Sequence, residues 1–149
     1  MSQPSLFGPA PGGSATANID GGSRGNPGPA GYGVRIEHDD GSIVELKEAL
    51  PLATNNVAEY SGLLAALRWA ATSGISSLHV RSDSELLVKQ MLGQYRVKNA
   101  GLLPLYEEAR AMTRRIGRVT FEHVRRESNK DADRLANEAM DEAAAKAGA

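Results

Sequence analysis

Residues 15–32 decide the fold of this chain and read ATANIDGGSRGNPGPAGY. Apolar residues alternate with polar ones at Ala15, Ala17 and Ile19, as in a strand with one buried face, and the run ends at one carboxylate, Asp20. Five of the next eleven residues are glycine, which exposes the main chain to close approach by another backbone or a ligand. Asp-Gly after a strand is also a common hairpin turn. Later stretches decide between these two interpretations.

Composition narrows the class of protein to which the chain can belong. Its 149 residues, of which 41% are hydrophobic, are enough for one domain with a core. A net charge of -1 excludes binding of nucleic acid through bulk positive charge, so such contact requires a local patch or bound metal. The absence of cysteine excludes disulfides and thiolate metal sites. With no signal-like start and no membrane-spanning run, we expect a cytoplasmic protein.

The two ends of the chain differ from the rest. Residues 1–14 are rich in Pro, Gly and Ser without hydrophobic period, which predicts a disordered lead. Residues 15–142 form the predicted domain. The remaining residues, 143–149, read AAAKAGA and are predicted to fray.

The hydrophobic pattern predicts the element order β-β-β-α-β-α-α-β-α. After the opening strand, the predicted elements are strands 31–38 and 42–49, a helix 57–72, a strand 77–81, helices 85–91 and 102–116, a strand 119–124 and a helix from Ser128 or Asn129 to Glu142. Pro51 is expected to end the antiparallel meander of the first three strands. This order is typical of an α/β fold in which a five-stranded mixed sheet is flanked by helices.

Four carboxylates mark the functional end of this predicted sheet. Right-handed crossovers place strand 77–81 beside and parallel to the first strand, so Asp20 and Asp83 leave adjacent carboxyl ends, where ligands bind in open sheets. Glu59 lies in the predicted first turn of an apolar helix, and Asp133 lies early in the last helix. Each acid alone is consistent with an ordinary charge near a helix start. Together they would repel one another without a cation, and carboxylate oxygens suit Mg²⁺ or Mn²⁺.

Four stretches resemble the signature blocks of type 1 ribonuclease H: IDGGSRGNPGPAGYG, TNNVAEYSGLLAAL, SDSELLVKQM and VRRESNKDADRLANEA. The resemblance covers roughly residues 17–140 and implies a ribonuclease H-like fold. It also implies hydrolysis of the RNA strand of RNA/DNA hybrids with two Mg²⁺ ions, for which Mn²⁺ substitutes, giving 5′-phosphate and 3′-hydroxyl ends. For this chain the resemblance further implies a monomer that has no organic cofactor and no contact with a membrane.

The resemblance also implies roles for single residues. The metal-binding and catalytic acids fall on Asp20, Glu59, Asp83 and Asp133, and Asp131 is the neighbour most easily confused with the last. The implied contacts with the hybrid are Gly21, Gly22, Ser23, Asn26, Thr54, Asn55 and Asn56. For the Asn and Thr residues, ordinary turn and capping chemistry remains the alternative.

The chain departs from the better-known bacterial branch of the family in two places. Residues 92–101 read LGQYRVKNAG where that branch carries a longer basic protrusion, which leaves Arg96, Lys98 and Asn99 as candidate contacts or as a solvated loop. That branch also has a histidine before the last acid, where this chain has Arg125 and Arg126. We hypothesise that Arg126 is an electrostatic substitute with a catalytic role, and that the histidines (His38, His79 and His123) are structural strand residues.

Two other functions were weighed against cleavage. A catalytically weak or inactive module could bind hybrids or double-stranded RNA, but four retained acids argue against it because uncompensated carboxylates repel phosphate. A phosphotransferase that uses the glycine loop is excluded because the Gly-Lys-Ser/Thr of a P-loop is absent. Cleavage of RNA/RNA duplexes stays open.

Overall fold

The computed structural model describes residues 12–148. The strands are β1 (Ser14–Ser23), β2 (Gly28–His38), β3 (Ile43–Ala53), β4 (Ser77–Ser82) and β5 (Arg118–His123). The helices are α1 (Asn55–Thr72), α2 (Glu85–Met91), α3 (Leu103–Ile116) and α4 (Lys130–Ala147), with a short 3₁₀ turn at Arg126–Ser128. This order confirms the predicted succession of strands and helices. No helix within the described residues is long and apolar enough to cross a membrane.

The five strands form one mixed sheet in the order β3-β2-β1-β4-β5. Strands β1, β2 and β3 pair antiparallel, whereas β4 pairs parallel with both β1 and β5. Ile19 lies opposite Ser82 in the register of β1 with β4. Asp20 and Asp83 therefore follow neighbouring positions at the same end of β1 and β4, as predicted. The first strand does not end at Asp20, however, because it continues to Ser23, with Gly21 and Gly22 paired to β2.

The two faces of β1 meet different helices. Side chains of a strand alternate between faces: Ala17 and Ile19 lie in the main core with Leu64 of α1, whereas the Asn18 side chain contacts the start of α4. The α4 helix packs directly on the sheet because β2 has no side chain at the contact. A Cβ on Gly33 would lie 2.5 Å from the carbonyl oxygen of Ala132.

The third strand is longer than the sequence predicts. Pro51 was expected to end it, but β3 continues through Pro51 to Ala53, and Ala53 is in register with Gly28. The prediction was wrong because β3 lies at the edge of the sheet, where a proline without an N–H does not remove a hydrogen bond that a neighbour needs. Only the tertiary arrangement reveals that edge position.

Both predicted domain boundaries need correction. Ser14 already belongs to β1, opposite Ser77, and Ser76 N donates to Gly13 O at 3.1 Å, so the last residues of the predicted lead are paired with the domain. Residues 1–11 and 149 lie outside the described residues. At the other end, α4 continues past Glu142 to Ala147, and Ala143 is buried. Alanine has a high helix propensity, and this buried contact adds to it.

Candidate active site

Four elements bring the acids together. Asp20 lies in β1, Asp83 follows β4, Asp133 lies in the first turn of α4, and Glu59 lies in the second turn of α1, one turn later than predicted. The α1 helix begins where it does because the Oγ1 atom of Thr54 accepts a hydrogen bond from Val57 N at 3.2 Å. These placements direct all four acids to one cleft.

Three of the four acids form a tight cluster. Carboxylate oxygens of Asp20, Glu59 and Asp83 lie within 4.8 Å of one another. Asp133 lines the same cleft, which has a volume of about 920 Å³, but lies outside this closest set. The cluster offers only hard oxygen donors, which suit a divalent cation such as Mg²⁺.

The cluster holds protons more tightly than isolated carboxyl groups do. Burial, with the negative charge of Asp83 as the next largest cause, raises the pKa of Asp20 to about 8, although the hydrogen bond from the Gly21 N–H acts in the opposite direction. Burial likewise raises the pKa of Glu59 to about 7, with a hydrogen bond from Ser84 acting in the opposite direction. A bound cation would remove the cost of keeping these groups charged at neutral pH.

Asp83 has a neighbour of opposite charge. Burial raises the pKa of its carboxyl group, and the guanidinium of Arg126 is the largest influence that lowers it. Arg125 and Arg126 both line the cleft. His123 is the last residue of β5, as predicted, but it also lines the cleft, and its charge lowers the pKa of Asp83 as well. A purely structural role for His123 is therefore too narrow.

The two candidate acids of α4 point to different surroundings. Asp131 is exposed. Its Oδ2 atom lies 3.5 Å from Arg35 Nε, and its Oδ1 atom lies 3.8 Å from Arg134 Nη2. Asp133 lines the cleft, and its charge raises the pKa values of Asp20 and Asp83. The geometry thus places Asp133, and not Asp131, in the cleft that holds the acid cluster.

The glycine loop is held to α1 by asparagine side chains. Ser23 N donates to Asn55 Oδ1 at 2.7 Å, and Asn55 N donates to Asn26 Oδ1 at 2.9 Å. Within residues 12–148, the buried Oγ atom of Ser23 has no hydrogen-bond partner. Asn26 and Asn55 therefore have a structural role, which leaves their amide NH₂ groups for a ligand, whereas the Ser23 hydroxyl is buried.

The other predicted contacts divide among neighbouring cavities. Gly21, Gly22, Ser23, Asn55 and Asn56 line the acid cleft. Asn26, Thr54 and Asn99 line a cavity of about 380 Å³ that shares Asn55 and Asn56 with the cleft. Arg96 and Lys98 line a third cavity of about 570 Å³. Leu86 lines both this cavity and the cleft. The predicted substrate contacts thus form a continuous stretch of surface, but they do not all lie in one cavity.

Several residues of the site were missed from the sequence. Asn129 was expected only to cap α4, but its side chain makes no bond to that helix and is 1% exposed. Its Nδ2 donates to Ile19 O at 2.9 Å, and its Oδ1 accepts from Asn18 Nδ2 at 2.9 Å. Asn129 does not itself line the cleft, whereas Ser84, Asn137 and Met140 do, and none of these three was predicted to belong to the site.

Known proteins resemble this chain in both sequence and structure. A family model described as "Reverse transcriptase-like" matches residues 18–139. The ribonuclease HI of Halobacterium salinarum is 41% identical over 136 residues, which cover 91% of this chain and 68% of that protein. The chain belongs to the ribonuclease H family. The crystal structure of the Halobacterium RNase H1 superposes with a TM-score of 0.82 over 87% of this chain and 99% of that one. The resemblance of the four blocks and the ribonuclease H fold are thereby confirmed.

Two further members of the family are informative. The bifunctional protein Rv2228c of Mycobacterium tuberculosis is 52% identical over 132 residues, which are 87% of this chain but only 36% of that protein. The structure of its N-terminal RNase H domain gives a TM-score of 0.87 at 48% identity, over 91% of this chain and 99% of that one. LC11-RNase H1, solved in complex with an RNA/DNA hybrid, gives 0.80 at 40% identity, over 87% and 98% of the two chains. This chain thus spans about a third of the length of the Mycobacterium relative.

Proposed function

We propose that this chain is an endoribonuclease that hydrolyses the RNA strand of RNA/DNA hybrids and leaves 5′-phosphate and 3′-hydroxyl ends. One observation carries the proposal. Three carboxylates at the end of β1 and β4 form a cluster in which their oxygens lie within 4.8 Å of one another. Family membership and the hybrid bound to a structural neighbour support the choice of substrate. The four acids come from one chain, so a monomer suffices for the activity.

The donor set fits divalent cations. Asp20, Glu59 and Asp83 would hold them, with Asp133 completing the set, and Mg²⁺ is the expected ion with Mn²⁺ as its substitute. Two such ions, when bound, supply polarisation of the scissile phosphate and activation of a water molecule. The raised pKa values of Asp20 and Glu59 mark these two groups as the ones whose charge a cation would stabilise most.

The surrounding residues would bind and orient the substrate. The main chain at Gly21 and Gly22 and the side chains of Asn55 and Asn56 line the cleft, and they would provide short donors and acceptors of the kind that read 2′-hydroxyl groups. Arg126 stays protonated at neutral pH, so it can hold a phosphate oxygen but cannot carry protons. Its position beside Asp83 supports a role in stabilising phosphate charge.

The test is cleavage of four matched duplexes in Mg²⁺ or Mn²⁺: RNA/DNA hybrid with label on either strand, RNA/RNA and DNA/DNA. We expect cleavage of the hybrid on its RNA strand only, with fragments that a 5′-phosphate-dependent exonuclease degrades. Cleavage of RNA/RNA would widen the substrate class. Binding of the hybrid without cleavage in either ion would instead establish the inactive binding module.

A further inference from the structure

The inference concerns Arg24, which lies in the loop between β1 and β2. The main chain is held at Arg24 and at the residue before it: Arg24 N donates to Pro29 O at 2.8 Å, and Ser23 N donates to Asn55 Oδ1 at 2.7 Å. A fixed main chain gives the long arginine side chain a defined origin. From there it crosses to α4.

On α4 the guanidinium meets two side chains one turn apart. Arg24 Nη2 lies 2.8 Å from Asp141 Oδ1 and 3.4 Å from Asn137 Oδ1. The side chains of Arg24 and Asp141 are 44% and 68% exposed, and ion pairs so open to water contribute little to stability. The pair is therefore easily exchanged for a stronger anion, at a small cost in stability.

Arg24 stands beside the wall of the acid cleft. Asn137 and Met140 line the cleft, and Asn137 Nδ2 donates to the carbonyl oxygen of Asp133 at 2.9 Å. Arg125 and Arg126 line the cleft after β5, and β4 and β1 lie between that loop and the one that carries Arg24. A polyanion lying across the acids would thus have an arginine available on each side.

We propose that Arg24 is a substrate-binding residue that leaves Asp141 to hold a backbone phosphate of the RNA strand, next to the nucleotides over the acid cluster. The proposal rests on the proposed function. Arginine binds phosphate through paired, charge-assisted hydrogen bonds that a single exposed carboxylate contact does not match. In the free protein Asp141 keeps the side chain extended along α4, and in the complex Asp141 competes with the substrate.

This competition gives the two partners opposite effects. Arg24→Ala should raise both KM and the Kd for uncut hybrid several-fold with little change in kcat. The slope of log Kd against log salt concentration should fall by about 0.9, the value for one lost phosphate contact. Asp141→Asn frees Arg24 and should lower KM and Kd, and this gain should disappear in the double variant. Arg68→Ala is the matched control, because Arg68 forms a similarly exposed pair with Glu108 at 2.6 Å. Neither residue of that pair lines the cleft, whereas Arg24 contacts Asn137 of the cleft wall.

A purely structural pair would behave differently. If Arg24 and Asp141 only fasten the loop to α4, both single variants weaken hybrid binding and lower Tm alike, and the inference is overturned. It is overturned as well if Arg24→Ala matches Arg68→Ala in KM and salt slope. Either result leaves the proposed function intact as long as the wild-type chain cleaves the hybrid. If the wild-type chain neither binds nor cleaves the hybrid, both the proposed function and the inference about Arg24 are overturned.

Discussion

Asn129 donates a hydrogen bond from Nδ2 to the carbonyl oxygen of Ile19 at 2.9 Å, so the residue that begins α4 is bonded to the residue before Asp20. The carbonyl oxygen of the same Asn129 accepts from Asp133 N at 3.0 Å. One buried side chain therefore connects the strand and the helix that supply two acids of the site. Because Asn129 is buried, its removal would deprive the Ile19 carbonyl oxygen of this donor, whereas Asn18 Nδ2 would keep the Ser128 carbonyl oxygen as an acceptor.

Replacing Asn129 by Ala should cost about 1–3 kcal/mol of unfolding free energy, because Ile19 O loses a buried hydrogen-bond donor. Asn129→Asp keeps the shape but loses the donor, so it should destabilise the fold as well. Thermal denaturation measures both effects, and calorimetric titration with Mg²⁺ should show weaker binding. Wild-type Tm and ion affinity in both variants would show that the bond does not position the acids.

Without divalent ions, the stability of the protein should fall as pH rises. The folded pKa of Asp20 is about 8 against 3.8 for the ordinary group, and that of Glu59 is about 7 against 4.5, so the folded state binds protons more tightly. Unfolding then releases protons between about pH 4 and pH 8, and each group removes at most about 1.4 kcal/mol per pH unit in its window.

The measurement is Tm against pH in EDTA for the wild type and for Asp20→Asn. The variant should have the shallower slope and the higher Tm at pH 8, and Mg²⁺ should raise the wild-type Tm most at that pH. Equal slopes of Tm against pH in the two proteins would contradict the raised pKa assigned to Asp20.

Arg126→Ala should lower kcat by about tenfold to a hundredfold, because a fixed positive charge beside the phosphate is lost. Arg126→Lys should recover part of the rate, since it keeps a charge but not the paired donors. Steady-state kinetics on a hybrid substrate separate kcat from KM, and Arg125→Ala provides the neighbouring comparison. A larger loss for Arg125→Ala would transfer the role to that residue, and normal rates in both would end the hypothesis.

Gly33→Ala should separate α4 from the sheet. Its Cβ would lie 2.5 Å from both Ala132 O and Leu135 Cβ, so the helix that carries Asp133 must shift. Overpacking of this kind typically costs about 1–3 kcal/mol, and the displaced acid should reduce cleavage further. Gly148→Ala is the control, because its nearest contact is an ordinary 3.6 Å. Equal Tm and activity in the two variants would show that the contact between α4 and β2 is looser than described.

The parts of the site that follow from local pattern were predictable from the sequence. Asp20 lies near the end of β1 and Asp83 follows β4. The alternation of both strands is visible in the sequence, and the handedness of crossovers places the strands side by side. The choice of Asp133 over Asp131 came from the resemblance of a block, and the cleft agrees with it. Such features need only the neighbouring residues and general rules of topology.

The parts that were missed depend on residues far apart in the chain. An asparagine before a helix has a sufficient local role as a cap, and nothing near Asn129 indicates that its partner is 110 residues away. Arg24 similarly meets Asn137 across 113 residues. The continuation of β3 through Pro51 depends on that strand being at the edge, which the pattern of the strand itself does not show.

The measurement that tests the central claim most directly is the initial rate of RNA-strand cleavage in an RNA/DNA hybrid, titrated with Mg²⁺, for the wild type and for Asp83→Asn. Circular dichroism of both proteins establishes that each is folded. We predict ion-dependent cleavage by the wild type and a rate lower by orders of magnitude for the folded variant, because one carboxylate of the cluster no longer holds the ions. Cleavage by Asp83→Asn at the wild-type rate, or wild-type cleavage that persists in EDTA, would contradict the assignment of the acid cluster as the catalytic centre.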